Sequence, residues 1–404
     1  MKDILTQEYN NTKKLLISSK EEKDIVNIHF IKGAFCELKG KPGKEFILKF
    51  IDKSNNSLIY NPTIVNNMWS KCSKQYYVDW TVKVINKETG EIIHEHNLNL
   101  EGQRVYIHLD SKAIGDTLAW FPQLERFADK HKCKIITSTF HNEWFEVEYP
   151  DFEFVKPGSQ VNNIYAQYSI GWFYNEDNSI NNDNIPIDFR LHPLAQTASE
   201  ILGLDYKEVK PRLAFKKRSP SIQKKYVCIA PHASAHAKYW NHPGGWQAII
   251  NYLNDKGYKV VMITQEPLGD EWHDSKLGET LTGVIDKTGN YSIADRVNDL
   301  KYADFFIGLG SGLSWLSWAV DTPTILISGF SKPYSEFEDC ERVFPLTSNI
   351  CNGCFNNTRL NGGDWEWCPE HKGTDRHFEC TKSIPPSQVI NSIENIIKKT
   401  TNKK

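Results

Sequence analysis

A strand–loop–helix alternation begins at Val105 and begins again near residue 225, and this repeat limits the fold more than any other feature of the chain. Residues 105–109 form a short apolar run, followed by the polar loop 110–116. Leu118, Phe121, Leu124, Phe127 and Ala128 then recur at helical spacing, and 134–139 reads as the next strand. The second round offers strands at 226–230, 258–264, 303–308 and 324–328, with helices at 246–254, 295–301 and 313–320. Alternation of this kind predicts parallel sheets covered by helices. Two such units, separated by a Pro-rich stretch over 186–220, predict two Rossmann-like lobes. Ligands of such sheets bind in the cleft beyond the carboxyl ends of the strands.

The N-terminal part has a different texture. Residues 1–27 read as a lead-in with an amphipathic helix around 6–16, and 28–106 alternates with period two in runs such as 45–51 and 76–85. Lys87-Glu-Thr-Gly90 links the latter run to 91–96 as a hairpin. This segment predicts a small antiparallel barrel or sandwich used for docking or assembly. The expected division is therefore a lead-in at 1–27, a β-module at 28–106, a first lobe at 107–215, and a second lobe at 216–384. A cysteine-rich finger lies at 340–384, and a helix and tail close the chain at 385–404.

Composition excludes some classes. With 48 Lys and Arg against 50 Asp and Glu, the formal net charge is −2, which argues against a nucleic-acid binder driven by bulk electrostatics. The N-terminus lacks the layout of a signal peptide. No apolar run reaches the ~18 to 20 residues that would cross a bilayer. The expected location is cytoplasmic, without membrane insertion.

Of the 9 cysteines, Cys351, Cys354, Cys368 and Cys380 crowd one segment that has little apolar periodicity. A C-x-x-C turn brings two thiolates to one ion, and two later cysteines complete a tetrahedral shell. A structural metal accounts for this spacing better than a disulfide pair or free thiols, and the spacing suits zinc or iron.

Three loops at predicted strand ends are positioned for chemistry. In the first, Asp110 can act as a general base, with an ordinary helix-capping Asp as the plainer reading. Gly115 lets backbone approach a ligand closely, and Ser111, Lys112 and Asp116 complete the candidate contacts. In the second, 231–240, Lys238 suits a phosphate, with Ser234 and Trp240 as further substrate contacts. His232 and His236, four residues apart, read as ligand or scaffold residues rather than a metal pair. In the third, Gly310, Ser311, Gly312 and Leu313 offer backbone N–H groups at a helix N-terminus, a cradle for a diphosphate. Glu266 ends a strand where an acidic side chain can meet ribose hydroxyls or adenine; the plainer reading is a surface glutamate.

Taken in order, HLDSKAIGDTLAWFPQLERF, SAHAKYWNHPGGWQ, GLGSGLSWLSWAV and the C-x-x-C…WCP…C segment resemble the bacterial autotransporter heptosyltransferases, over about residues 28–390. The resemblance implies a GT-B fold and ADP-heptose as donor. It further implies inverting transfer to serines of an autotransporter adhesin passenger. Asp110 then matches the family's base, and Lys238 the residue at the donor phosphates. Residues 310–313 match the diphosphate loop, and Glu266 falls in the nucleotide pocket. The four cysteines match a finger that holds one iron per chain. The β-module is similar to one through which relatives build large ring-shaped homo-oligomers, dodecamers among them. Two other readings stand beside this one: a lipopolysaccharide-type heptosyltransferase with a non-protein acceptor, and a non-catalytic nucleotide-binding assembly protein.

Overall fold

The structure is a computed structural model and describes residues 15–18, 23–216, 218–360 and 365–401. The second lobe is built on a 6-stranded parallel sheet. Its spatial order is Ile285–Asp286, Lys259–Met262, Tyr226–Ala230, Phe306–Leu309, Thr324–Ile327, Glu341–Val343. Every residue of Tyr226–Ala230, Phe306–Leu309 and Thr324–Ile327 is buried. That is the pattern of strands covered on both faces. On one face Ile249 and Leu253 of helix Gly245–Asp255 pack with Val389 and Ile393 of helix Pro386–Thr401.

In the first lobe, Glu153–Phe154, Lys134–Ser138, Arg104–Leu109 and Ala166–Ile170 run parallel. The sheet continues into the N-terminal segment. Lys23–Ile31 joins Ala166–Ile170 in parallel, and Phe35–Lys39 and Met68–Lys71 follow antiparallel. Glu45–Asp52, Ser57–Tyr60, Thr63–Val65, Trp80–Asn86 and Ile92–Asn97 form a separate 5-stranded sheet. The period-two strands are thus shared between two sheets instead of closing on themselves. Burial explains the division. Val26, Ile28 and Phe30 of the extended sheet and Phe46, Leu48, Phe50, Val82 and Val84 of the other occupy one core.

Local signals shape the details. Asn86 Oδ1 accepts from the N–H groups of Glu88 and Thr89 at 2.9 and 3.1 Å, which holds the expected hairpin. Residues 76–79 leave the strand pattern because Tyr77 N–H donates to Ile201 O at 2.8 Å in the first lobe. The apolar run from Leu118 to Phe127 forms two helices, Ile114–Trp120 and Pro122–His131, since Pro122 has no N–H and starts a new helix. Most of the helix expected over 6–16 lies outside the described residues; its last two, Leu15 and Leu16, are in a strand paired with Val26 and Ile25. Among the described residues, no helix is long and apolar enough to cross a membrane.

The two lobes meet through helices Ile114–Trp120 and Gly312–Ala319. A Cβ on Gly115 would stand 2.9 Å from Trp315 Cδ1, and one on Gly312 2.9 Å from Ile114 Cβ. Only glycine permits this approach. It carries one core across the boundary, from Leu118 and Trp120 to Trp315, Trp318 and Phe337.

Leu48, fully buried where the two N-terminal sheets meet, tests the shared core. Leu48→Ala is expected to cost about 2 to 5 kcal/mol and to lower the thermal midpoint. An unchanged midpoint would show that the five-stranded sheet packs independently.

Candidate active site between the lobes

A cavity of about 660 Å³ opens between the lobes, at the carboxyl ends of the central strands of both parallel sheets. Ten of the residues expected at the site line it: Lys112, Gly115, Asp116, Ser234, Lys238, Glu266, Gly310, Ser311, Gly312 and Leu313. Residues from both lobes therefore converge on one space.

On the first-lobe side, Asp116 is buried and accepts on Oδ2 from Ser111 Oγ and Trp172 Nε1, both at 2.7 Å. Burial pushes its pKa up, while those two hydrogen bonds and the charge of Lys238 across the cleft pull it down. Lys238 also donates to Ser234 Oγ at 3.4 Å. Helix Gly312–Ala319 follows Ser311, which supplies no side-chain cap, and residues 310–313 line the cavity, so the helix starts at its wall.

His232 lines the second-lobe side of the cavity. Its ring meets Thr264 Oγ1 at 3.3 Å through Nδ1, and Nε2 is buried without a hydrogen-bond partner. Burial, then the neighbouring His273, holds its pKa down at about 4. At 3.9 Å from Glu266, the neutral ring forms no ion pair. His236 turns away, with Nε2 at Lys276 O (3.1 Å), so the two histidines share no ion.

Sequence reasoning missed three contributors. Arg296 is buried and donates to the carbonyls of Lys287 (2.6 Å) and Gly289 (2.8 Å), and so fixes one rim of the cavity. Glu336 accepts from Trp315 Nε1 at 2.8 Å and faces Gly310, where a Cβ would come within 2.7 Å of it. Trp172 orients Asp116. Their signal lay in distant partners, which spacing along the chain does not reveal.

Three expected residues are not in the lining. Asp110 is exposed at the end of strand Arg104–Leu109, its N–H bonded to Ile170 O at 2.7 Å. Ser111 acts through Asp116. Trp240 is fully buried, its Nε1 on Ile384 O at 3.0 Å and its ring edge-on to Trp246 at 5.4 Å. Its place is the core between helices, so it makes no substrate contact.

In the finger, Cys354, Cys368 and Cys380 are buried, Cys351 is half-buried, and all four are free thiols. Burial first, and then neighbouring cysteines, push Cys354 up to about 12 and Cys380 to about 11. Cys351 is raised too, by burial and then by Glu379 and Cys380. Cys354 and Cys368 pack beside Ala237, Phe330 and Phe378, and thiols gathered in this way suit an ion that favours soft ligands. The finger also touches the cleft. Trp365 O accepts from Ala237 N at 2.9 Å, next to Lys238. Leu360 O accepts from Arg190 Nη1 at 2.9 Å, Asn356 Nδ2 donates to Arg190 O at 2.7 Å, and Phe355 lines the cavity.

The sequence pattern of glycosyltransferase family 9 (heptosyltransferase) matches residues 167–341. Aah from Escherichia coli, an autotransporter heptosyltransferase, is 37% identical over 370 residues, covering 89% of this chain and 91% of its own. TibC of enterotoxigenic E. coli, an iron-containing dodecameric glycosyltransferase, has a crystal structure similar at TM-score 0.83. It is 34% identical, over 95% of this chain and 97% of TibC. A second TibC structure, in complex with ADP-D-β-D-heptose, is similar at TM-score 0.81 and 33% identity, over 93% of this chain and 96% of that one. BimC from Burkholderia thailandensis, described as an inactive autotransporter heptosyltransferase, is 30% identical over 80% of this chain and 75% of its own.

Two outcomes follow from this geometry. Gly312→Val should push helix Gly312–Ala319 off Ile114 and weaken nucleotide binding, measured by calorimetry with ADP. Unchanged affinity would mean that the glycine contact does not set the cleft. His232 is depressed from 6.5 to about 4 and His29 to about 3, each chiefly by burial. Below pH 6.5 the unfolded chain takes up protons that the folded one refuses, so stability should fall from pH 6.5 toward 4. His232→Asn should flatten part of that slope in pH-dependent melting; a slope identical to that of the parent protein contradicts the assignment.

Proposed function

The chain belongs to the autotransporter heptosyltransferases, and from that premise we propose that it transfers heptose from ADP-heptose to serine hydroxyls of autotransporter adhesin repeats, with inversion. It is a glycosyltransferase of the GT-B α/β fold. Because BimC is inactive, membership alone does not carry turnover. The observation that carries it is the convergence of Lys238 and the uncapped helix at Gly312 on one cavity with the loop that follows Asp110.

In this reading the diphosphate rests on Lys238 and the N–H groups at 311–313, with the nucleotide toward Glu266 and His232. The acceptor serine enters at the exposed end of strand Arg104–Leu109. Its oxygen bonds to the anomeric carbon as the bond from that carbon to the β-phosphate oxygen breaks, and the hydroxyl proton passes to the Asp110 carboxylate. ADP leaves with one more negative charge, which Lys238 and the helix dipole stabilise. Asp110 suits the base because a macromolecular acceptor must reach it from solvent, while Asp116 is already occupied by Ser111 and Trp172.

The four cysteines hold one metal per chain, iron by similarity to iron-containing TibC and zinc as the alternative. When bound, the ion cross-links a finger that has little apolar core of its own. The exposed Met68 and Trp69 on the edge strand Met68–Lys71 suit self-assembly into a ring like the TibC dodecamer. Modification of a passenger before export places the enzyme in the cytoplasm.

Asp110→Ala is expected to reduce transfer by about 10²- to 10⁴-fold while ADP-heptose affinity stays near that of the parent. Mass spectrometry of a co-expressed adhesin and calorimetry with donor read the two effects. A folded Asp110→Ala protein that still adds heptose at the normal rate overturns the base assignment.

A further inference from the structure

Among the described residues, three carboxylates line the cavity: Asp116, Glu266 and Glu336. Asp116 is tied to Ser111 and Trp172, and Glu266 is given to the nucleotide by the donor reading above. Glu336 has no role in that reading. We propose that Glu336 is the specificity residue for the sugar of the donor, and that its Oε1 accepts hydrogen bonds from hydroxyls of the transferred heptose. This assignment rests on ADP-heptose being the donor.

Sheet order decides which end of a donor Glu336 can meet. The cradle 310–313 follows strand Phe306–Leu309, which lies between Tyr226–Ala230 and Thr324–Ile327. Glu266 follows Lys259–Met262, beyond Tyr226–Ala230 on one side. Glu336 follows Thr324–Ile327 on the other. The two carboxylates therefore flank the cradle from opposite sides. A nucleotide sugar has the matching layout, with ribose hydroxyls at one end, phosphates in the middle and sugar hydroxyls at the other end. With Glu266 at the nucleoside, Glu336 falls at the sugar.

Charge supports the same placement. A Cβ on Gly310 would come within 2.7 Å of Glu336 Oε1, so the carboxylate stands against the first residue of the cradle. An ionised carboxylate repels a phosphate and only accepts hydrogen bonds, which suits it to a neutral group that donates them. Its orientation is fixed in advance. Oε2 accepts from Trp315 Nε1 at 2.8 Å, the one hydrogen-bond donor to this side chain among the described residues, which leaves Oε1 for a ligand. Trp315 is buried and edge-on to Trp318 and Phe337 at 5.3 and 5.0 Å. The preceding residue is braced as well: Ser335 Oγ donates to Asn356 Oδ1 at 3.0 Å, and Asn356 reaches Arg190 O of the first lobe. A carboxylate held in this way loses little freedom when it binds a hydroxyl.

Calorimetry of the full-length protein with ADP and with ADP-heptose tests the assignment. In Glu336→Gln the amide oxygen can still accept from Trp315, while the amide nitrogen puts a neutral donor in place of Oε1. This variant should bind ADP-heptose about ten- to a hundred-fold more weakly than the parent protein. Its affinity for ADP should stay the same or rise, and its thermal midpoint should not move. Should the Gln variant not fold, Glu336→Asp, which retracts the carboxylate, decides by the same comparison. The assignment is overturned if the affinities for ADP and ADP-heptose fall together, because Glu336 then only shapes the cradle. It is overturned equally if neither affinity changes. A parent protein that binds ADP but not ADP-heptose overturns the donor reading itself, and the role of Glu336 falls with it.

Discussion

The cleft depends on two helices meeting through glycine. Gly115 lies against Trp315 and Gly312 against Ile114, at distances where any side chain on either glycine would collide. The contact sets the spacing between lobes and aims two helix N-termini into the same space. Trp315 does more than fill the joint. Its Nε1 holds Glu336, which in turn faces Gly310 at the start of the cradle. Trp318 and Phe337 stack behind it at 5.6 Å, joining the cleft floor to the core. A transfer between a charged donor and a weak hydroxyl nucleophile needs reactants placed to within fractions of an ångström. A rigid joint beside the cavity supplies that precision better than a hinge.

The finger braces the same cleft from the other side. It hydrogen-bonds to the second lobe next to Lys238 and to the first lobe at Arg190. Phe355 follows Cys354 directly and forms part of the cavity wall. It also meets Trp172 and Phe189 of the first lobe edge-on and tilted, at 6.4 and 6.2 Å. Cross-linking through the cysteines would therefore act on the position of a wall residue one bond away, and on the loop that carries Lys238. The metal segment need not touch substrate to influence it.

The alternation of strands and helices was legible because buried parallel strands leave long apolar runs, and the strand-end loops followed from where such sheets bind ligands. Residues 310–313 and Lys238 were found that way. The N-terminal segment was legible as strands but not as sheets: Phe46, Leu48 and Phe50 announce a buried face without saying that its partner is Val26, Ile28 and Phe30. Trp240 misled because an indole in a loop next to a lysine that suits a phosphate looks like a substrate contact, while its N–H is taken by Ile384 O, far along the chain. Arg296, Glu336 and Trp172 could not be read at all. Their roles arise from contacts across the fold, and a single arginine inside an amphipathic helix resembles any surface residue until its carbonyl partners are known.

Two aspartates six positions apart in one loop have been given opposite environments. Asp116 is enclosed, and its Oδ2 receives two hydrogen bonds. A buried carboxylate of this kind is tolerable only because donors and a facing cation compensate its charge. Burial is the largest influence and raises its pKa, while the donors Ser111 and Trp172 and the charge of Lys238 oppose that rise, so Asp116 serves as a fixed acceptor that ties the loop to Trp172. Asp110, exposed at the strand end, is free of that enclosure and precedes the loop that lines the cavity. The loop thus separates a carboxylate that organises the cavity wall from one open to solvent, and only the second suits the proposed role of base toward an acceptor that arrives from outside.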